Sequence, residues 1–231
     1  MWQVPEPKEE WIENFLTVRA PAEGPTVWVS SFSVVVRDAR LASGRNLETG
    51  LVENVELVGN WLGALAYLVM LDQVGECFRP TRPHRLPVHN ASLVKALTYF
   101  APSLTDDQAL AVYALRCAFA HDYGLVNRSQ GGRNSGRLNH RFLLLSDALS
   151  PLVDCPDPLW DGDWSTSRDS KRTRINVRAL GDLAERIVSE MLIAHRSRRI
   201  LVALRGGVDE LFARFAMTIT SDTDSEAEQP K

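Results

Sequence analysis

The sequence predicts a mainly α fold: one mostly helical domain over residues 1–220, a small two-stranded β ribbon within it, and a disordered acidic tail at 221–231. Three observations point that way. Apolar residues recur at helical spacing over long stretches, helix-start signals precede several of them, and 45% hydrophobic residues with 24% charged residues in 231 positions suffice for one proper core. Composition excludes collagen, mucin-like and wholly disordered chains.

Taken in order, Lys8 to Val18 reads as a short helix with Trp11, Ile12, Phe15 and Leu16 on one stripe, ended before Pro21. Thr26 to Val36 is rich in β-branched and aromatic residues and reads equally as strand or buried helix. From Leu47 to Phe78, Leu51, Val55, Val58, Leu62, Leu65 and Val69 keep helical spacing without a proline, which predicts one long helix. Gly59 and Gly63 within it weaken the helix unless another backbone packs against them. Pro80, Pro83 and Pro87 predict an extended connector, and Asn90 a cap for a helix through Leu97 and Phe100.

Thr105 and Gln108 have capping-box spacing, with Asp106 and Asp107 in the first turn where the helix dipole favours anions. A helix should start there and run through Leu110, Val112, Leu115 and Phe119 to a stop at Gly124. Residues 127–138 read as a flexible loop. Phe142 to Ser146 and Arg174 to Val177 read as two short strands, the source of the ribbon. Asn176 predicts the cap of a long helix, and Gly206-Gly207 separates it from a final one through Leu211, Phe212 and Phe215.

Early glutamates and the lack of an apolar segment argue against a secretory signal, and the run from Trp61 to Leu71 falls short of the ~20 residues of a membrane span. Cys77, Cys117 and Cys155 have no metal-ligand spacing and suit a reducing compartment, so the expected location is cytoplasmic. Net charge is -3, yet residues 128–205 carry 14 Lys+Arg against 9 Asp+Glu, a weak pointer to a polyanion such as RNA.

The segment with chemical content is Leu115-Arg116-Cys117-Ala118-Phe119-Ala120-His121-Asp122-Tyr123-Gly124. An arginine supplies a permanent forked cation for phosphate, and a histidine exchanges a proton near neutral pH. Positions five apart on a helix diverge by about 140°, so Arg116 and His121 need either an unwound helix end or a two-fold partner to meet. Arg128, Arg133 and Arg137, in the small-residue loop that follows, are candidate RNA contacts. The plainer reading is a helix C-terminus with a favourable cation and a connector loop.

The run Arg116-x4-His121-x-Tyr123 resembles the HEPN family, and within it the toxins paired with minimal nucleotidyltransferase antitoxins. The resemblance covers about 47–124 and implies an up-and-down helical bundle as the core, with C-terminal helices at about 177–217 outside it. It implies a homodimeric, metal-independent endoribonuclease with Arg116 and His121 as catalytic residues. His121 would be the base, Arg116 would stabilise the phosphorane, and Tyr123 would accept a nucleotidyl group. An RNA substrate and an antitoxin or nucleotidyltransferase partner follow from it, without a cofactor or metal. Cys117 stands where the family usually has a polar residue, and a non-catalytic module binding nucleotide or a partner protein is the alternative.

Other motifs carry less. Asp161-Gly162-Asp163 begins like a calcium loop, but Thr166 and Arg172 occupy the positions where glycine and glutamate are needed. His84, His89 and His140 lack zinc-like partners and read as solvated or capping residues, and Cys117 reads as packing.

Overall fold

A computed structural model describes residues 8–18, 26–129, 131 and 135–220. Arg133 and the acidic tail lie outside the described residues. Helix α1 spans Lys8–Leu16, β1 Thr26–Ser30, α2 Ser31–Ala42, α3 Trp61–Cys77 and β2 Phe78–Pro80. Then come α4 (Ser92–Phe100), α5 (Asp106–Asp122), β3 (Val126–Asn127), β4 (His140–Leu145) and β5 (Val153–Asp154). The chain continues with β6 (Thr173–Asn176), α6 (Val177–Arg196), β7 (Ile200–Val202), α7 (Gly207–Phe215) and β8 (Ala216–Thr220).

The mainly α bundle is thereby corrected: helices and sheets are mixed. β1 and β8 form one antiparallel ribbon and β2 and β7 another, while β3-β4-β6-β5 make a four-stranded mixed sheet. The predicted ribbon is the centre of that sheet, but β4 and β6 run parallel, with Leu144 opposite Ile175. Parallel neighbours need a long crossover, here 146–172, so β5 can add antiparallel to β6 on the way back. Short strands of two to six residues carry too little period-two signal to be read from sequence.

The core is centred on α3, which packs against α2, α4, α5 and α6 and buries Tyr67, Leu68, Met70, Leu71 and Val74 completely. Close crossing is set by glycine. At Gly75 an added Cβ would fall into the Ser92 carbonyl of α4, and at Gly63 it would lie 2.9 Å from Ser43 Cβ at the end of α2. Close packing at Gly63 therefore agrees with the sequence; Gly59 lies outside the helix.

The predicted helix from Leu47 is wrong before Trp61. Asn46 Oδ1 accepts from the amides of Glu48 and Thr49 (2.9 and 2.8 Å), a local turn that competes with the helix. Gly50 adopts a left-handed φ of 72°. Arg40 Nη1 donates to the carbonyls of Leu47 and Glu48, and Arg45 Nη1 to that of Gly50, taking acceptors a helix would use. Leu51 and Val55 consequently stand in solvent, and Asn60 starts α3 by accepting from Leu62 N at 2.8 Å.

Asn90 does not cap α4 either. Asp72 of α3 accepts from Leu93 N at 3.1 Å, and the Ser92 hydroxyl donates to Glu76 at 2.9 Å, so the helix start is satisfied from a neighbour. The undecided segment 26–36 divides into β1 and α2, with Ser30 capping the helix through Ser33 N.

Candidate functional site

Both caps predicted for the site's framework are present. Thr105 Oγ1 accepts from Gln108 N at 3.2 Å, and Gln108 Oε1 accepts from Thr105 N at 3.0 Å, which starts α5. Asn176 Oδ1 accepts from Arg178 N and Ala179 N to start α6. The far end of α5 closes on Tyr123, whose φ of 46° is left-handed, rather than on Gly124. A non-glycine residue there costs about 1 kcal/mol or more. The aromatic contacts offset it: the Tyr123 ring meets Trp61 edge-on at 5.5 Å, and Trp61 stacks on Phe119 at 5.4 Å.

Arg116 and His121 leave opposite sides of α5. Arg116 Nε donates to Asp72 Oδ2 at 2.6 Å, and the other Asp72 oxygen holds the start of α4. The guanidinium thus belongs to a lock between α3, α4 and α5. His121 is exposed and lies on the stripe Tyr113, Cys117, His121, each four residues from the next. That stripe is one wall of a hollow of about 550 Å3.

The opposite wall comes from the segment after α5. Asn127, Arg128 and Ser129 line it, and Trp164, 57% exposed, forms the rim. Asn127 Nδ2 donates to Leu138 O at 2.7 Å, and Asn139 accepts from Ser129 N while donating to Asp161 O. These bonds tie residues 127–129 to the turn that carries Trp164. Beneath that turn Trp160 is buried, its ring 5.1 Å from Trp164 and its Nε1 donating to Asp163 O at 2.8 Å. The platform is held from below.

His140 is buried, not solvated as the sequence suggested, and it braces the same loop by reaching Arg137 O with Nε2 at 3.0 Å. Arg137 itself pairs with Asp107 at 2.7 Å, at the start of α5. Fourteen residues along the helix separate Asp107 from His121, about 21 Å. Of the predicted contacts, then, the structure brings together His121 and Arg128. It sets Arg116, Tyr123 and Arg137 elsewhere.

Burial pushes the Tyr113 hydroxyl up to about 12, helped by its hydrogen bond with Cys117. Burial also raises the Cys117 thiol, outweighing that bond and the Arg116 charge, so it is no thiolate nucleophile near neutral pH. Among the described residues no group of three or more His, Cys, Asp and Glu is placed to hold a metal ion. Nor is any described helix long and apolar enough to cross a membrane.

Sequence reasoning missed Trp164, which sits inside the discounted calcium-like stretch. An exposed tryptophan among aspartates and serines was the available signal. No protein-family model matches the chain, and neither a curated protein nor a solved structure matches it.

Proposed function

We propose that the protein binds single-stranded RNA and seats one nucleotide in the hollow between α5 and the Trp164 turn. The observation that carries this reading is the convergence of His121, Arg128, Asn127 and Ser129 on one hollow with a braced, exposed indole at its rim. An indole stacks any base, contributing about 1–3 kcal/mol, and a guanidinium beside it neutralises the adjoining phosphate. Its volume lies within the ~300–1,000 Å3 of pockets that enclose small organic ligands. Asn127 spends its amide N–H on Leu138, which leaves its Oδ1 to accept from a base or ribose hydroxyl.

Metal-independent cleavage is the second reading, favoured by an imidazole and a guanidinium on the same hollow. His121 would take the proton of a ribose 2′-hydroxyl as its oxygen attacks phosphorus. The bond to the 5′-oxygen breaks, and that oxygen takes a proton from the imidazolium. The products are a 2′,3′-cyclic phosphate and a 5′-hydroxyl, and Arg128 offsets charge on the phosphorane. This arrangement needs one copy of the chain. The composite dimeric site with Arg116 instead requires that guanidinium to leave Asp72.

Anisotropy with a labelled oligouridylate tests binding. Replacing Arg128 and Trp164 together by alanine should weaken it roughly tenfold or more. Equal affinity of that variant and the wild type would discard the hollow as the binding place. Labelled RNA incubated in EDTA tests cleavage, which should fall by about 10² or more in His121→Ala. Cleavage indifferent to that substitution removes the second reading.

A further inference from the structure

A second surface, sharing no residue with the hollow, concentrates cations. The pair β2–β7 places Arg79 opposite Leu201, both exposed, while Phe78 turns into the core. Helix α4 presents Lys95 and Tyr99 one turn apart on its less buried stripe. Between these elements and α7 lies a hollow of about 390 Å3 where Arg79, Lys95, Arg205 and Arg214 face Glu76 and Glu210. Tyr99 is also a wall of the next hollow, about 670 Å3, where Arg82 and Arg199 face Glu190.

Together the adjoining hollows hold six Lys or Arg against three Glu, a local balance of +3 in a chain whose net charge is -3. Both acids of the first hollow are engaged by one cation, since Arg214 pairs with Glu76 at 3.3 Å and with Glu210 at 3.1 Å. Glu210 further accepts from Gly206 N at 2.8 Å. Arg79, Arg82, Lys95, Arg199 and Arg205 form no ion pair with a described residue. Five such cations in one continuous trough repel one another, and a polyanion relieves that repulsion by releasing its counterions.

We infer that this trough binds the phosphodiester backbone of single-stranded RNA, with Tyr99 between the two hollows as a stacking surface for a base. The trough exceeds a single phosphate site in length and offers no enclosed cavity. An extended anion with regularly spaced charges fits it better than a small phosphorylated ligand. The inference extends the RNA reading to a second surface and is tested separately from the first.

The experiment measures oligouridylate binding by anisotropy over a potassium chloride series, for three proteins whose folding is checked by circular dichroism. These are the wild type, a trough variant (Arg79→Gln, Lys95→Gln, Arg205→Gln) and the hollow variant (Arg128→Ala, Trp164→Ala). Each phosphate neutralised on a single strand contributes ~0.7 to the slope of log affinity against log salt. The trough variant should therefore bind roughly tenfold more weakly at moderate salt, with a slope smaller by about 2. Unchanged affinity and slope in the trough variant overturn the inference.

If the triple variant does not fold, lysine labelling of the wild type decides, because the chain has only four lysines to resolve. Bound oligouridylate should slow acetylation of Lys95 severalfold, and an unchanged rate overturns the inference. A weakened trough variant beside an unaffected hollow variant sinks the hollow reading alone. A wild type without affinity for oligouridylate sinks both.

Discussion

Lowering the pH should destabilise the fold through His140, and the size of the effect follows from its surroundings. The ring is 1% exposed, stacked on Phe142 at 5.4 Å, with Nδ1 2.8 Å from Thr173 Oγ1 and Nε2 3.0 Å from Arg137 O. A carbonyl only accepts, so Nε2 carries the proton and Nδ1 accepts from the threonine hydroxyl. The neutral ring is fully satisfied. Burial therefore pulls its pKa from 6.5 down to about 4, against smaller upward contributions from the Arg137 carbonyl and the Asp107 charge.

The unfolded chain takes up a proton near 6.5, and the folded chain refuses it until about 4. Between these values the unfolded state binds more protons, so this contribution is complete above the upper value and is lost as pH falls toward the lower one. The full gap corresponds to roughly 3 kcal/mol, and about 2 kcal/mol of it is gone at about pH 5. Urea unfolding of the wild type and of His140→Gln at about pH 7.5 and pH 5 measures it. The wild type should lose about 2 kcal/mol more than the variant over that interval, carboxylates contributing equally to both. Parallel losses in the two proteins would refute the assignment of a neutral, buried His140.

Two further substitutions probe how the core positions the site. Glu185 accepts from Arg40 Nε and Nη2 at 2.9 and 2.7 Å and from the Tyr67 hydroxyl at 2.6 Å. Glu185→Ala leaves the Arg40 charge buried without its carboxylate and should cost roughly 3–5 kcal/mol in urea unfolding. A loss below about 1 kcal/mol would show that the pair is effectively solvated. Gly75→Ala sets a methyl into the Ser92 carbonyl, a backbone atom that cannot swing aside, and should cost about 1–3 kcal/mol. An unchanged melting temperature would mean that α3 and α4 separate freely.

What could be read from the residue string is what neighbouring residues settle among themselves. The α5 capping box needs only Thr105 and Gln108, and the α6 cap needs only Asn176 and the next turn. Both appear where spacing places them. The stripes of α1, α6 and α7 are equally local, since one face of a helix records its own burial. The chemically suggestive stretch ending α5 was likewise legible as the end of a buried helix.

Partners distant in sequence decided the rest. Arg116 is claimed by Asp72, 44 positions away, and so it turns from His121. Arg40 and Arg45 take the carbonyls of 47–50, and Asp72 serves the helix that Asn90 adjoins. Strands as short as Val153–Asp154 exist only because β6 offers an unpaired edge. Arg128 and Trp164, 36 residues apart, share a hollow through Asn139, a bond no periodicity encodes. Hydrogen-bonding groups and charges take whichever partner the folded chain brings nearest. Spacing along a helix therefore fixes a side chain's direction, and only the surrounding packing determines what it meets there.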